Sequence, residues 1–161
     1  MRKRPQWEVE TRIEAPVATV WDAIEDLSLI PQYHPIVRSV EYVSGQTRRA
    51  PGVAYKCVVP EGRQKGWCVE RVVEHIPHRK TTVAFSEDSW GMGQMFGEFL
   101  AETTVEPGGN NTTVVQLRAY YIPQGFKMRL IHSLFMRRMM RKRAKLTLDG
   151  LKRLIEAGRG I

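Results

Sequence analysis

Apolar and polar positions alternate at the start of the chain and then change period. Trp7, Val9 and Ile13 alternate with Glu8, Glu10 and Arg12, which predicts a half-buried strand over 7–13. The strand stops at Ala15-Pro16, and Val17, Val20, Trp21, Ile24 and Leu27 then recur at helical spacing. Pro16 fits the first turn of that helix, where its missing N–H costs nothing. Pro31 and Pro35 limit the next segment to a short second helical turn and a bend.

Strand character then fills the middle of the chain. The predicted strands are 36–43, 53–59, 67–76, 81–86, 94–105 and 112–122, divided by segments such as Ser44-Gly45 and Pro77-His78-Arg79-Lys80. Glu106-Pro107-Gly108-Gly109-Asn110-Asn111 is a hairpin signal. Turns this short predict an antiparallel sheet of about seven strands. After Pro123-Gln124-Gly125 a helical period takes over, with Met128, Ile131, Phe135 and Met139 on one stripe that continues through Leu148, Leu151 and Ile155. One long helix is expected from about 126 to 157, ended by Gly158 and Gly160. Gly150 is an interior position where it could bend. There is no internal repeat or linker, so 1–161 reads as one domain of α+β class.

The pieces resemble the helix-grip fold of the START/Bet v 1-like (SRPBCC) superfamily, and more narrowly the polyketide cyclase/dehydrase and lipid-transport group. The resemblance rests on Ile13-Glu14-Ala15-Pro16-Val17 running to Val20-Trp21, on Pro31-Gln32-Tyr33-His34-Pro35, and on Gly52 before a strand. It rests also on Glu70-Arg71-Val72-Val73-Glu74 before Pro77, Glu106-Pro107-Gly108-Gly109, and the ending Leu151-Lys152-Arg153-Leu154-Ile155-Glu156. It implies a curved seven-stranded antiparallel sheet wrapped around a long C-terminal helix, two short helices near the N-terminus, and a cavity between sheet and helix. The function implied is binding of a hydrophobic small molecule such as a lipid, isoprenoid or polyketide, by a carrier or sensor. A cyclase/dehydratase using the same cavity is one alternative, since one fold hosts both, and a peripheral membrane protein that delivers lipid by way of its basic C-terminal helix is the second.

Strand parity then picks cavity-facing candidates. Leu117, Ala119 and Tyr121 share a face, as do Met95 and Phe99, and Val83 and Phe85. Tyr55 belongs with Val53 on an inward face. The 67–76 strand is ambiguous: Trp67 shares parity with Arg71, and Val72 with Glu70 and Glu74. The long helix would add Met128, Ile131, His132 and Phe135. Ser89-Trp90-Gly91-Met92-Gly93 reads as a mobile loop at the cavity mouth, bringing Trp90 and Met92. Polar groups would orient the ligand: Tyr33, His34, Tyr55 and Tyr121 as hydrogen-bonding groups, Arg71 as a bidentate donor, His132 as a proton carrier. Tyr121, His132 and Arg71 are the candidates for catalysis.

Composition narrows the partners. Apolar residues make up 42% of the chain, enough for a core. Of the net charge of +8, much lies between Lys127 and Arg153, where Asp149 is the only acid. This is either a solvated outer face or, through Arg137, Arg138, Arg141, Lys142 and Arg143, a contact for an anionic membrane. No specific nucleic-acid partner is expected. Cys57 and Cys68 flank a turn and could face each other across adjacent strands, where two packed, reduced thiols are expected. Met1-Arg2-Lys3-Arg4-Pro5 leads into no apolar core, and no apolar run is long enough to span a bilayer, so a cytoplasmic location is expected. No cofactor or metal is expected: there is no Gly-x-Ser-x-Gly elbow, phosphate-binding loop or dinucleotide fingerprint, and His75-Ile76-Pro77-His78 lacks a third ligand.

Overall fold

A computed structural model describes residues 4–159. The predicted helix terminator Gly160 and the first residues of the basic N-terminus, 1–3, lie outside the described residues. Strand β1 (Trp7–Ile13) leads into α1 (Val17–Glu25), a single turn at Leu27–Leu29, and α2 (Ile30–Tyr33). Five strands follow in succession around a short helix: β2 (Ser39–Glu41), β3 (Ala54–Val59), β4 (Gly66–Ile76), β5 (Lys80–Asp88), α3 (Met92–Phe96) and β6 (Leu100–Gly109). β7 (Thr112–Tyr120) then precedes α4 (Gly125–Ile131), a π-helical turn (His132–Met136) and α5 (Arg137–Arg159).

The strands form one curved antiparallel sheet in the order β1-β7-β6-β5-β4-β3-β2. Along β1 every second residue is buried, so the predicted alternation holds, with the buried Thr11 on the inward face. Asn110 and Asn111, both at positive φ, make the β6–β7 turn, and a bulge at Pro107–Gly109 absorbs the glycines before it. β1 and β2 are the sheet edges, joined in sequence by α1 and α2. The β1 edge is covered by α5: Arg141 Nε donates to Glu8 O (3.3 Å), Lys145 Nζ to Glu10 O (2.9 Å) and Lys152 Nζ to Arg12 O (2.6 Å). Part of the basic character of this helix therefore satisfies carbonyls that an edge strand would leave open.

Two elements depart from the sequence pattern. The segment predicted as strand from residue 94 begins with α3, because Gly91 and Gly97 at positive φ bracket one helical turn. Asp88 Oδ1 sets that turn by accepting from the Trp90 (2.7 Å) and Met92 (3.0 Å) backbone N–H groups. Of the expected mouth loop, Ser89–Gly91 stays non-helical, and Met92 and Gly93 begin the helix. The long helix runs from Gly125 through the π turn and past Gly158. Gly150 lies inside α5. A Cβ there would fall far inside van der Waals contact of the Tyr33 carbonyl oxygen, so glycine is what lets α5 approach α2.

Candidate functional site

Between the concave face of the sheet and α5 lies a cavity of about 460 Å³. Phe85, Phe99, Ala101 and Leu117 line it from the sheet, Leu148 and Leu151 from α5. Phe96, Met92 and Met95 close it from α3, and Tyr33 from α2. Met136, Met139 and Met140 line the end nearest the π turn. Two exposed residues, Arg63 and Met139, are part of the lining, so the space reaches the surface there.

The polar part of the wall is a network around Arg49, Tyr55 and Glu70. Arg49 Nε (3.2 Å) and Nη2 (2.9 Å) both donate to the Tyr55 hydroxyl, while Nη1 donates to the Ile24 carbonyl. The Tyr55 hydroxyl donates in turn to Glu70 Oε2 at 2.5 Å. Glu70 Oε1 has only a long contact, 4.0 Å, from the Cys57 thiol. Burial pushes the Glu70 carboxyl above the usual carboxylate range, against the pull of the Arg49 charge and the Tyr55 hydrogen bond. Burial works against the Arg49 charge, but Tyr55, Tyr33 and Glu70 outweigh it and hold the guanidinium ionised. Burial likewise raises Tyr55 and Tyr33. A phenol bonded to both a guanidinium and a carboxyl group keeps these polar atoms satisfied beside an apolar cavity, and one carboxyl oxygen stays open to a guest.

A second polar group stands near the Arg63 opening. Arg143 Nη1 donates to Gln64 Oε1 (3.2 Å), and the Trp90 indole donates to Gln64 O (3.1 Å). Trp90 packs over Gly66, where a side chain would collide with its ring. His34 Nδ1 accepts from the Ile36 and Val37 N–H groups, both at 3.2 Å. Burial, then the Arg143 and Arg38 charges, lower His34 to about 4, so its ring is neutral near pH 7.

Tyr33, Val83, Phe85, Trp90, Met92, Met95, Phe99 and Leu117 stand on the cavity wall, Met95 from α3 and not from the expected strand. Tyr55 and Ala119 are fully buried behind it, with Tyr55 reaching the site through its hydroxyl. Several candidates are elsewhere. Trp67 lies on the outer face with the Lys56 ammonium 4.6 Å over its ring. Arg71 is exposed and donates to Gly52 O (3.1 Å); its neighbour Glu70 takes the inward place. Ile131 and Phe135 are exposed, and Met128 packs on the core without reaching the cavity. The inward line here is Met128, His132, Met136 and Met140, four residues apart, because a π turn rotates less per residue than the α period assumes.

Tyr121 and His132 meet, but not at the cavity. The Tyr121 hydroxyl lies 2.5 Å from His132 Nε2, and the Tyr121 ring stacks on Phe99 at 4.6 Å. Burial pushes Tyr121 up to about 12, with Trp7 and Arg137 working the other way, and burial followed by the Arg137 charge lowers His132. The pair sits behind Phe96 and Phe99 and ties the π turn to the end of β7. Arg49 and Glu70 are not among the candidates from the sequence: Arg49 lies in the loop between β2 and β3, and an acid on an inward face masked the alternation of β4. Cys57 and Cys68 do pair across β3 and β4, as free, buried thiols; a hydrogen bond with Cys57 and burial push the Cys68 thiol up. Among the described residues there is no cluster of three metal-ligating side chains and no helix long and apolar enough to cross a membrane.

Comparison with solved structures gives the same fold at low identity. The Thermus thermophilus protein TTHA0849 superposes with a TM-score of 0.73 at 20% identity, over 94% of this chain and 97% of that one. Norcoclaurine synthase of Thalictrum flavum, solved with a transition-state analogue, gives 0.74 at 14% identity, over 95% and 94%. Ara h 8.0201 gives 0.71 at 13%, over 94% and 97%. Curated protein sequences give no match. Residues 4–156 match the family described as polyketide cyclase / dehydrase and lipid transport. With that match across almost its whole length, and the helix-grip architecture around a cavity, the chain belongs to this family of the Bet v 1-like SRPBCC superfamily.

Proposed function

We propose that the protein is a carrier or sensor that binds a hydrophobic small molecule, such as a lipid, isoprenoid or polyketide, in this cavity. The observation that carries the reading is a largely apolar space of about 460 Å³ with the Arg49–Tyr55–Glu70 network at its wall. The size suits a small organic ligand. Burying about 300 Å² of ligand apolar surface gives roughly 7 kcal/mol of gross driving force, part of which offsets lost ligand freedom. A ligand hydroxyl or phenol donating to Glu70 Oε1 would fix its orientation. We place the protein in a reducing, cytoplasmic setting, where the buried Cys57 and Cys68 remain packed thiols.

One observation favours the cyclase/dehydratase alternative. Glu70 is a cavity carboxyl with a raised proton affinity, next to the Tyr55 hydroxyl and the Arg49 charge. Such a group can exchange a proton with a bound carbonyl compound or alcohol. Native mass spectrometry of the purified protein tests the carrier reading: a retained apolar small molecule, lost on solvent extraction and rebound unchanged, is the expected result. Chemical conversion of the rebound molecule, abolished by Glu70→Gln, would move the assignment to the enzyme.

A further inference from the structure

From α4 through the π turn the helix carries large apolar side chains on its outer surface. Phe126 is 82% exposed, Phe135 71%, Leu134 59% and Leu130 49%. Phe126, Leu130 and Leu134 are spaced four apart, and Ile131 and Phe135 form an adjacent row, so the apolar surface is continuous. The core is already served by Met128, His132 and Met136 on the opposite side of the same segment. A contiguous exposed patch of this kind marks a contact surface.

Charge identifies the partner. Lys127, Arg129, Arg137, Arg138, Arg141, Lys142 and Arg143 are all cationic, and no acid stands between Gly125 and Arg143, against a net charge of +8 for the whole chain. Arg137 and Arg141 bond to Gln6 and to Glu8 O, and Arg143 to Gln64, while Arg138 and Lys142 are exposed. We propose that this face docks on an anionic lipid bilayer, with Phe126, Leu130, Leu134 and Phe135 entering the interface and the flanking cations resting on the head groups. An amphipathic, basic helix with aromatic side chains on its apolar face suits that boundary. A second copy of the chain would bring two strongly cationic faces together. Nucleic acid would account for the cations but not for the four apolar side chains.

Docking also sets the cavity against the bilayer. Met139 is 41% exposed and lines the cavity, and it stands next to the same apolar surface. A hydrophobic guest could then pass between bilayer and cavity without crossing water; this second step rests on the cavity reading, whereas docking does not.

The test is sedimentation of the full chain with vesicles of phosphatidylcholine, with and without a minority of phosphatidylserine. Binding is expected to the serine-containing vesicles and to fade as salt rises to about 0.5 M. Phe126→Ser with Phe135→Ser should weaken it about tenfold or more. Arg138→Glu with Lys142→Glu should weaken it and flatten its salt dependence. Circular dichroism and melting temperature confirm that each variant is folded. Uptake of N-phenyl-1-naphthylamine in vesicle-free buffer should be unchanged in both variants, because none of the four residues lines the cavity; loss of dye uptake in the parent protein would sink the cavity reading and leave docking standing. Three results overturn docking: no vesicle binding by the folded parent, vesicle binding untouched by the paired Phe substitutions, or a dimer in solution that those substitutions dissolve.

Discussion

The Tyr55 hydroxyl donates to Glu70 Oε2 across 2.5 Å while accepting from two nitrogens of Arg49. The phenol thus separates two opposite charges, and each end depends on the other. Removing the carboxylate leaves Arg49 buried without its counter-charge, so Glu70→Ala should cost about 3–5 kcal/mol in chemical denaturation. Glu70→Gln keeps an acceptor for Tyr55 and should cost less. It should still weaken binding of a ligand that donates to Oε1, read as a shift in ligand dissociation constant at matched stability.

Replacing the other end separates geometry from charge. Arg49→Lys retains the cation but cannot reach Tyr55 with two donors and the Ile24 carbonyl with a third. The expected loss is about 2 kcal/mol of unfolding free energy. A lysine variant as stable as the parent would show that charge alone holds this wall.

Two buried groups should give the stability profile opposite slopes. His34 is held at about 4 in the folded chain, below its unfolded value, so it contributes stability above about pH 6.5 that is lost as pH falls towards 4. Protonation would also take Nδ1 away from the Ile36 and Val37 N–H groups. Glu70 is raised by burial, so the folded chain holds its proton more tightly than the unfolded chain. Its contribution is greatest below its unfolded value and declines as pH rises through the folded one. Melting temperatures from pH 4 to 8 check both signs. His34→Gln should flatten the acid limb, and the parent-minus-Glu70→Gln difference should shrink as pH rises.

How much of this was visible in the residues follows from what each pattern encodes. Period-two alternation placed Val83, Phe85, Phe99 and Leu117 on the wall because an antiparallel strand commits every second side chain to one face. The same logic failed on β4, where the inward face carries Glu70; an inward carboxyl group breaks the pattern used to find inward faces. Arg49 was out of reach because a loop residue has no periodic neighbours to orient it. On the last helix the α period put Ile131 and Phe135 inside. The π turn swung them outward and put Met136 and Met140 in their place.

Tyr121 and His132 make a short, buried hydrogen bond with no access to the cavity, so their contribution should be to stability. Tyr121→Phe leaves His132 Nε2 without its hydrogen-bond partner and should cost about 1–2 kcal/mol. Ligand affinity should stay within about twofold, since the Phe ring can still stack on Phe99. A large loss of ligand binding in a folded Tyr121→Phe protein would place the hydroxyl in the site after all.

Gly150 offers a test in which two principles oppose each other. In an unconstrained helix interior, Gly→Ala stabilises by about 1 kcal/mol. Here the new Cβ would strike the backbone carbonyl of Tyr33, which a rotamer change cannot move aside. Gly150→Ala should therefore destabilise, by about 2 kcal/mol or more, as α5 and α2 are pushed apart. Because α2 carries Tyr33 to the cavity wall, the same substitution should weaken hydrophobic-dye uptake. Gly158→Ala, at a helical glycine with nothing near its Cβ position, is the control and should be neutral or stabilising. A melting temperature for Gly150→Ala at or above that of the parent would show that the close approach of α5 and α2 is not what glycine provides.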